Sequence, residues 1–373
     1  MGTSLGASCT PSASSASSAA KLIYYFGVMR KLFWAVLAII VATTVFARAW
    51  TLPERLTDQD FWKLVNDSSE PGGYFRNSDI TNLTSNEMLY QHVLSDLLNR
   101  VKPGGAYLGV GPEQNYTYMA ALKPRIAIIF DIRRGNLDIQ LMYKAIFELS
   151  KDRADFVAML FSRQRPAGLT PSMSATQLFD AFDRSPAVDE SSFAKNLAAI
   201  DDRLTKTHAL PLPRQDIEGI ATIYRTLYRA GFDVRPSPSY DDLMTATDEH
   251  GVERSYLATE ENYRFLKDLE SRNLVVPVVG DFGGPKAIRA IAGYLKTNGA
   301  TVTAFYLSNV EQYLYQDGKW NAFCRNVATL PLDNSSTFIR SESGAAGGFR
   351  RFGPGFVSSL GRITQDIQPC SSR

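Results

Sequence analysis

Two glycines and one carboxylate, at a fitting spacing, give the chain its clearest opening for chemistry. Gly109 and Gly111 lie in the turn Gly109-Val-Gly-Pro-Glu-Gln-Asn115, and Asp131 closes the apolar run Arg125-Ile-Ala-Ile-Ile-Phe-Asp131. The 22 positions from Gly109 to Asp131 suit one strand–helix–strand unit. In such units the turn glycines let a ligand approach the backbone, and an acid ending the second strand accepts ribose hydroxyls. An adenosine-type small molecule is therefore the expected ligand, with Gly109, Gly111, Glu113, Asn115, Asp131 and Arg133 as its expected contacts. Tyr74, Asn86 and Glu87 precede the first strand, where an aromatic ring and an amide can fold over a bound adenosine. Plainer readings stay open beside these. Two glycines can serve backbone angles alone, Asp131 can pair with Arg133 or Arg134, and Asn86-Glu87 can simply open a helix.

The turn is not a complete dinucleotide fingerprint, because Gln114 stands where a third glycine is expected. Pro112 and Glu113 open the following helix, and a carboxylate there repels a pyrophosphate at the helix N-terminus. A ligand without phosphate, such as S-adenosylmethionine, fits better than NAD or FAD. Asp281-Phe-Gly-Gly-Pro285 is a second glycine turn that lines the same crevice or merely turns the chain. Tyr306, Asn309 and Glu311 follow a later strand. Glu113, Asp281 and Glu311 are the candidates for a base, should an acceptor have to lose a proton. The three histidines have no serine or cysteine beside them in a nucleophile motif, so a hydrolase triad is unsupported.

Around these residues the periodicity predicts elements. Strands are expected at 105–110, 125–131, 274–281, 300–307 and 336–340, with helices after each glycine turn. Leu137, Leu141, Met142, Ala145, Ile146 and Leu149 mark one helical face, and Asp152 caps a second helix. Pro277 counts against a regular central strand. Residues 163–260 read as a proline-dotted helical insertion, and 343–373 as a flexible tail. The fold class is α/β: a doubly wound, mostly parallel sheet over residues 50–342.

Composition sets outer limits. The 40 basic and 38 acidic residues nearly cancel, which gives no reason to expect a nucleic-acid surface. Three histidines and three cysteines without ligand spacing argue against a metal site. Residues 1–28 read as a disordered or non-native extension. Met29-Arg-Lys31, the apolar run Phe33–Phe46 and Ala47-Arg-Ala49 have the form of a signal peptide over 29–49. The 14 residues of that run reach only ~21 Å as a helix, short of the ~30 Å of a bilayer core. Export to the periplasm after cleavage near Ala49 is expected; the alternative is an anchor formed by residues 32–49. An exported chain would keep Cys324 and Cys370, either paired or as two free thiols.

Gly109-x-Gly111, Asp131 and Asn86-Glu87 together resemble the class I S-adenosylmethionine-dependent methyltransferases, over roughly residues 72–150 and more loosely over 274–340. The runs Tyr107–Asn115, Asp131–Arg134 and Ser308–Leu314 look like a family of bacterial proteins of unknown function with a methyltransferase-like, Rossmann-like fold. The resemblance implies S-adenosylmethionine as cofactor and methyl transfer as activity, with no acceptor named. Two departures qualify it. Tyr107-Leu108 replaces the usual acid inside strand one, and no Asn-Pro-Pro-Tyr motif follows Leu307. The alternative is an exported, non-catalytic protein that keeps the fold as a binding or structural component.

Overall fold

The computed structural model describes residues 29, 51–73, 82–235, 237–343 and 356–368. The chain divides into Met1–Thr51 and Leu52–Arg373. Of the first unit only Met29, helical and exposed, and Thr51 are described. The expectations on residues 1–28, on the rest of the 29–49 segment, on Tyr74 and on Cys370 therefore lie outside the described residues. No helix among the described residues is long and apolar enough to cross a membrane.

The second unit opens with α1 (Asp58–Ser68) and α2 (Leu94–Arg100), then β1 (Ala106–Val110), α3 (Gln114–Leu122) and β2 (Ile126–Asp131). A helical stretch follows: α4 (Arg134–Leu149), α5 (Arg153–Leu160), α6 (Ala175–Asp183), α7 (Glu190–Asp202), α8 (Arg214–Ala230), α9 (Tyr240–Thr245) and α10 (Glu260–Ser271). The chain then returns to the sheet through β3 (Val275–Val279), α11 (Ala287–Thr297), β4 (Val302–Ser308), α12 (Val310–Gln316) and α13 (Trp320–Val327). It ends with β5 (Thr337–Ser343), β6 (Phe356–Arg362) and α14 (Ile363–Asp366).

The six strands form one sheet in the order β3-β2-β1-β4-β5-β6. All pairs are parallel except β5–β6. The fold is thus α/β with a mostly parallel sheet, as the alternation predicts. The path runs one way from β1 to β3 and the other way from β4 onward, so it reverses between β1 and β4. Parallel crossovers are right-handed, which sends the helices of the two halves to opposite faces. Side-chain alternation agrees. Tyr306 of β4 packs on Tyr118 of α3 at 5.1 Å, while its neighbour Phe305 turns the other way to Phe282 at 5.1 Å and Phe323 of α13 at 6.4 Å.

The reservation about Pro277 is met, and two other expectations are corrected, each for a physical cause. Pro277 is tolerated because β3 is the sheet edge, where one side of the strand has no neighbour to receive an N–H. The segment after α1 covers that edge: Glu70 N–H donates to the Val279 carbonyl at 2.8 Å, and Val279 N–H donates to Ser69 Oγ at 3.1 Å. Phe356–Arg362 is not loose tail but β6, paired along its length with β5. Its Val-Ser-Ser-Leu-Gly sequence lacks the β-branched density that marks the other strands, so pairing rather than propensity makes it a strand. Finally, Asn86 and Glu87 do not open a helix. A 3₁₀ turn at Tyr90–Val93 precedes α2, because Glu87 spends its carboxylate across the fold instead of at a cap.

Candidate functional site

The strand order puts the C-terminal ends of β1, β2, β3 and β4 side by side, and a cleft opens there, at the reversal between β1 and β4. In open α/β sheets the diverging helices leave a crevice at this point. The cleft is concave and partly open to solvent, with polar and apolar groups side by side on its wall. The segments after all four strands contribute: Gly111 and Pro112 after β1, Asp131 to Arg133 after β2, Gly280 to Phe282 after β3, and Ser308 to Val310 after β4. Asn82 and Ser85 to Glu87 close one side, and Tyr313 and Lys319 the other.

The turn after β1 is held from behind. Asn115 Nδ2 donates to the carbonyls of Val110 (3.0 Å), Gly111 (3.2 Å) and Pro112 (2.8 Å), while its Oδ1 accepts from Tyr107 Oη at 2.9 Å. Gln140 Nε2 donates to the Gly111 carbonyl at 3.2 Å from the far side. The two glycines answer different needs. A Cβ on Gly109 would stand 1.8 Å from Asn115 Oδ1, so this glycine admits the clamp. Gly111 adopts φ +80° with open space around it, so it serves the backbone angle and leaves the cleft wall bare.

At the end of β2, Asp131 accepts from Arg133 at both oxygens, and Arg133 Nη1 is buried without a partner. At the end of β3, Asp281 accepts from Gly283 N–H at 2.8 Å and pairs with Lys319 Nζ at 2.5 Å. Glu87 crosses from the segment before β1 and bonds Gln114 Nε2 at 2.9 Å and Ser308 Oγ at 2.5 Å. Burial pushes its carboxyl above the usual range, against the hydrogen bonds from Ser308 and Gln114. Ser308 itself has φ +50°, a left-handed angle rare for a residue with a Cβ, next to a shift in the β4–β5 register.

Gly111, Asp131, Arg133, Asn86, Glu87 and Asp281 thus share one cleft, as the sequence suggests. Gly109, Glu113, Asn115 and Glu311 stand elsewhere. Gly109 and Asn115 lie behind the turn. Glu113 is fully buried and accepts from Ser85 N–H at 3.1 and 3.2 Å; burial pushes its carboxyl up to about 7. Glu311 faces β5, where Arg340 Nε and Nη2 hold it at 2.7 and 3.2 Å. Its neighbour Asn309 makes no capping bond to α12 and lines the cleft instead. Gln114, which looked like a missing glycine, is the side chain that positions Glu87. Ser308, Tyr313 and Lys319 also line the cleft; the first two fall in the Ser308–Leu314 run noted for its family likeness, but none of the three was read as a site residue. Ser308 ends a readable strand and so was findable; Lys319 meets Asp281 across 38 positions, and no local pattern reveals it.

Cys324 is disulfide-bonded, which sets aside the free-thiol alternative; the chain's other cysteines, Cys9 and Cys370, lie outside the described residues.

No curated protein matches the chain. Residues 82–353, well over half of it and including the whole cleft lining, match the family described as Domain of unknown function (DUF7790). The chain belongs to the DUF7790 family.

Proposed function

We propose that the cleft binds an adenosine-type ligand, S-adenosylmethionine first among them, and that the protein is a methyltransferase-like, Rossmann-like member of its class with an acceptor still to be found. One observation carries the reading. Asp131, at the end of β2, and bare Gly111, at the end of β1, line the same cleft at the reversal of the sheet. That is where doubly wound sheets take a ribose and the chain attached to it. Methyl transfer asks chiefly for alignment of acceptor, methyl and sulfur, so a site with few ionisable side chains free to react is compatible with it.

A second reading, an exported binding or structural protein, has its own support. Tyr107 fills the strand-one position where an acid would meet the ligand, and it is committed to Asn115. The disulfide at Cys324 suits an oxidising compartment.

A thermal-shift series on the full chain with S-adenosylmethionine, S-adenosylhomocysteine, NAD and ATP separates the two. Ligand at ~100 times its dissociation constant adds ~2.7 kcal/mol, a shift of several degrees. A response to the two sulfur nucleosides alone supports the first reading. No response to any of the four sinks it and favours the second.

A further inference from the structure

Residues 208–216 carry the chain from α7 into α8 as a strap fastened at both ends of α4. The strap leaves α7 through a π-helical turn, Arg203–Thr207, in which His208 N–H reaches back to the Arg203 carbonyl at 3.1 Å. At this end His208 sits between two acids. Its Nδ1 is 2.7 Å from Asp58 Oδ1 on α1, and its Nε2 is 2.7 Å from Glu148 Oε2 on α4. At the far end Asp216, fully buried in the first turn of α8, holds Arg134 through both oxygens at 2.6 Å. Arg134 opens α4 and directly follows Arg133 on the cleft wall. The helix rises ~21 Å from Arg134 to Glu148, and the eight steps from His208 to Asp216 reach at most ~28 Å, so the strap has little slack. Its backbone bonds stay local, from Leu210 N–H to the Leu204 carbonyl at 3.0 Å and from Leu212 N–H to the Leu210 carbonyl at 2.8 Å. Leu210 is its buried apolar anchor, while Ala209, Pro211 and Pro213 are exposed. The charged ends therefore carry much of its attachment.

An ionised carboxylate only accepts hydrogen bonds, so a histidine with one at each ring nitrogen must donate from both and is an imidazolium. The bond to Glu148 pushes the ring above its ordinary value, against burial and with help from Asp58. Burial works to raise the two acids as well. The bonds from Asn273 and His208 nevertheless hold Asp58 below the usual carboxylate range, and those from His208 and Lys144 do the same for Glu148. Three elements supply the other charges at this junction. Lys144 on α4 opposes the charge on His208, Arg203 on the π turn lies 3.8 Å from Glu148, and Lys267 and Glu270 on α10 act on Glu148.

We propose that residues 208–216 form a proton-operated strap: the imidazolium of His208 fastens it between α1 and α4, and loss of that proton frees it and loosens the corner of the cleft at Arg133 and Arg134. The unfolded chain titrates this ring near 6.5, and the folded chain binds the same proton more tightly. The fastening is thus complete below about pH 6.5 and is lost as pH rises through the higher value that the folded ring holds. No assumption about the ligand of the cleft enters.

Amide hydrogen exchange on the full chain, corrected for the intrinsic pH dependence of exchange, tests this at about pH 6 and about pH 8.5. Peptides covering 203–216 and 131–136 should both lose protection at the higher pH, by roughly tenfold. His208→Gln should remove that step. Asp58→Asn, at a half-exposed acid that the fold can spare, should shrink it. Glu270→Gln removes the neighbouring carboxyl that burial pushes up to about 8, and should leave the step in place. Equal protection of the wild type at the two pH values, a step that survives His208→Gln, or one that vanishes in Glu270→Gln overturns the latch. Loss of protection in 203–216 without any in 131–136 overturns its link to the cleft.

Discussion

Arg133 holds both carboxylate oxygens of Asp131, from Nε to Oδ1 at 3.1 Å and from Nη2 to Oδ2 at 2.8 Å, with its own backbone N–H on Oδ1 at 2.9 Å. A carboxylate offers about four acceptor positions, two on each oxygen. Oδ1 is therefore saturated and Oδ2 keeps one place. A ribose at this site would give Asp131 one hydroxyl rather than two, and the geometry demands that the second hydroxyl find another partner.

The same pairing changes what an Asp131→Ala variant reports. The side chains of Arg133 and Asp131 are 2% and 8% exposed, so removing the acid strands a buried guanidinium. Breaking a buried pair in this way costs about 3–5 kcal/mol. Urea unfolding of Asp131→Ala should show a loss in that range, with Asp131→Asn losing less because one acceptor remains. A loss of under ~1 kcal/mol in the alanine variant would mean that water reaches the pair.

Gly109 and Gly111 should fail differently when replaced by alanine. At Gly109 the new methyl meets Asn115 Oδ1 at 1.8 Å, and relief requires moving the clamp on three carbonyls. Overpacking of this kind costs about 1–3 kcal/mol and disturbs the turn itself. At Gly111 the methyl enters open space but forces a φ of +80°, a cost of about 1–2 kcal/mol confined to the backbone. Thermal melts should rank Gly109→Ala below Gly111→Ala, and the reverse order would show that the Asn115 clamp yields easily.

These glycines also show how far sequence could reach. The positions of Gly111, Asp131, Asn86, Glu87 and Asp281 at one cleft were legible because strand ends and glycine turns are local patterns. The separate duties of Gly109 and Gly111 were not, since one depends on a side chain six positions on and the other on a torsion angle. Long-range partners were invisible altogether. Nothing near Glu311 in sequence announces Arg340, and nothing near Asp281 announces Lys319. The amphipathic helices of the 163–260 region could be read from spacing, as with Ala175–Asp183, but the strand Phe356–Arg362 could not, because only its partner β5 makes it one.

Glu70 caps a helix that begins more than 200 residues later. Its carboxylate accepts backbone N–H groups from Lys286 at 2.8 Å, Ala287 at 2.9 Å and Asp281 at 3.2 Å, while Lys286 at the N-cap of α11 supplies no side-chain cap of its own. The acid serves both the exposed amides and the helix dipole. Glu70→Ala should cost about 1–2 kcal/mol in chemical denaturation, and Glu70→Gln should recover part of it. An unchanged midpoint for the alanine variant would show that water caps the helix equally well.

Glu270 should make the protein less stable as pH rises through neutrality. Tyr116 Oη lies 2.9 Å from Gln140 Oε1 and 3.1 Å from Glu270 Oε1, yet it has one proton to give. Gln140 uses its Nε2 on the Gly111 carbonyl, so its Oε1 must accept, and Tyr116 donates to it. The remaining bond then requires Glu270 to donate, as a protonated acid. Burial pushes its carboxyl up to about 8, against the pull of Lys144. In the unfolded chain it would titrate near 4.5. Between those values the folded state binds more protons than the unfolded one, so the slope of stability with pH is negative. The contribution is whole below about pH 4.5 and falls away toward pH 8, where the carboxylate ionises in place. Glu270→Gln cannot titrate, and its amide can donate to Tyr116 in the proton's stead. Urea unfolding at several pH values should therefore show the variant gaining on the wild type as pH rises, by up to ~1.4 kcal/mol per unit across that window. A constant difference between the two proteins would mean that Glu270 is already ionised in the fold and that the chain of bonds to Gly111 runs the other way.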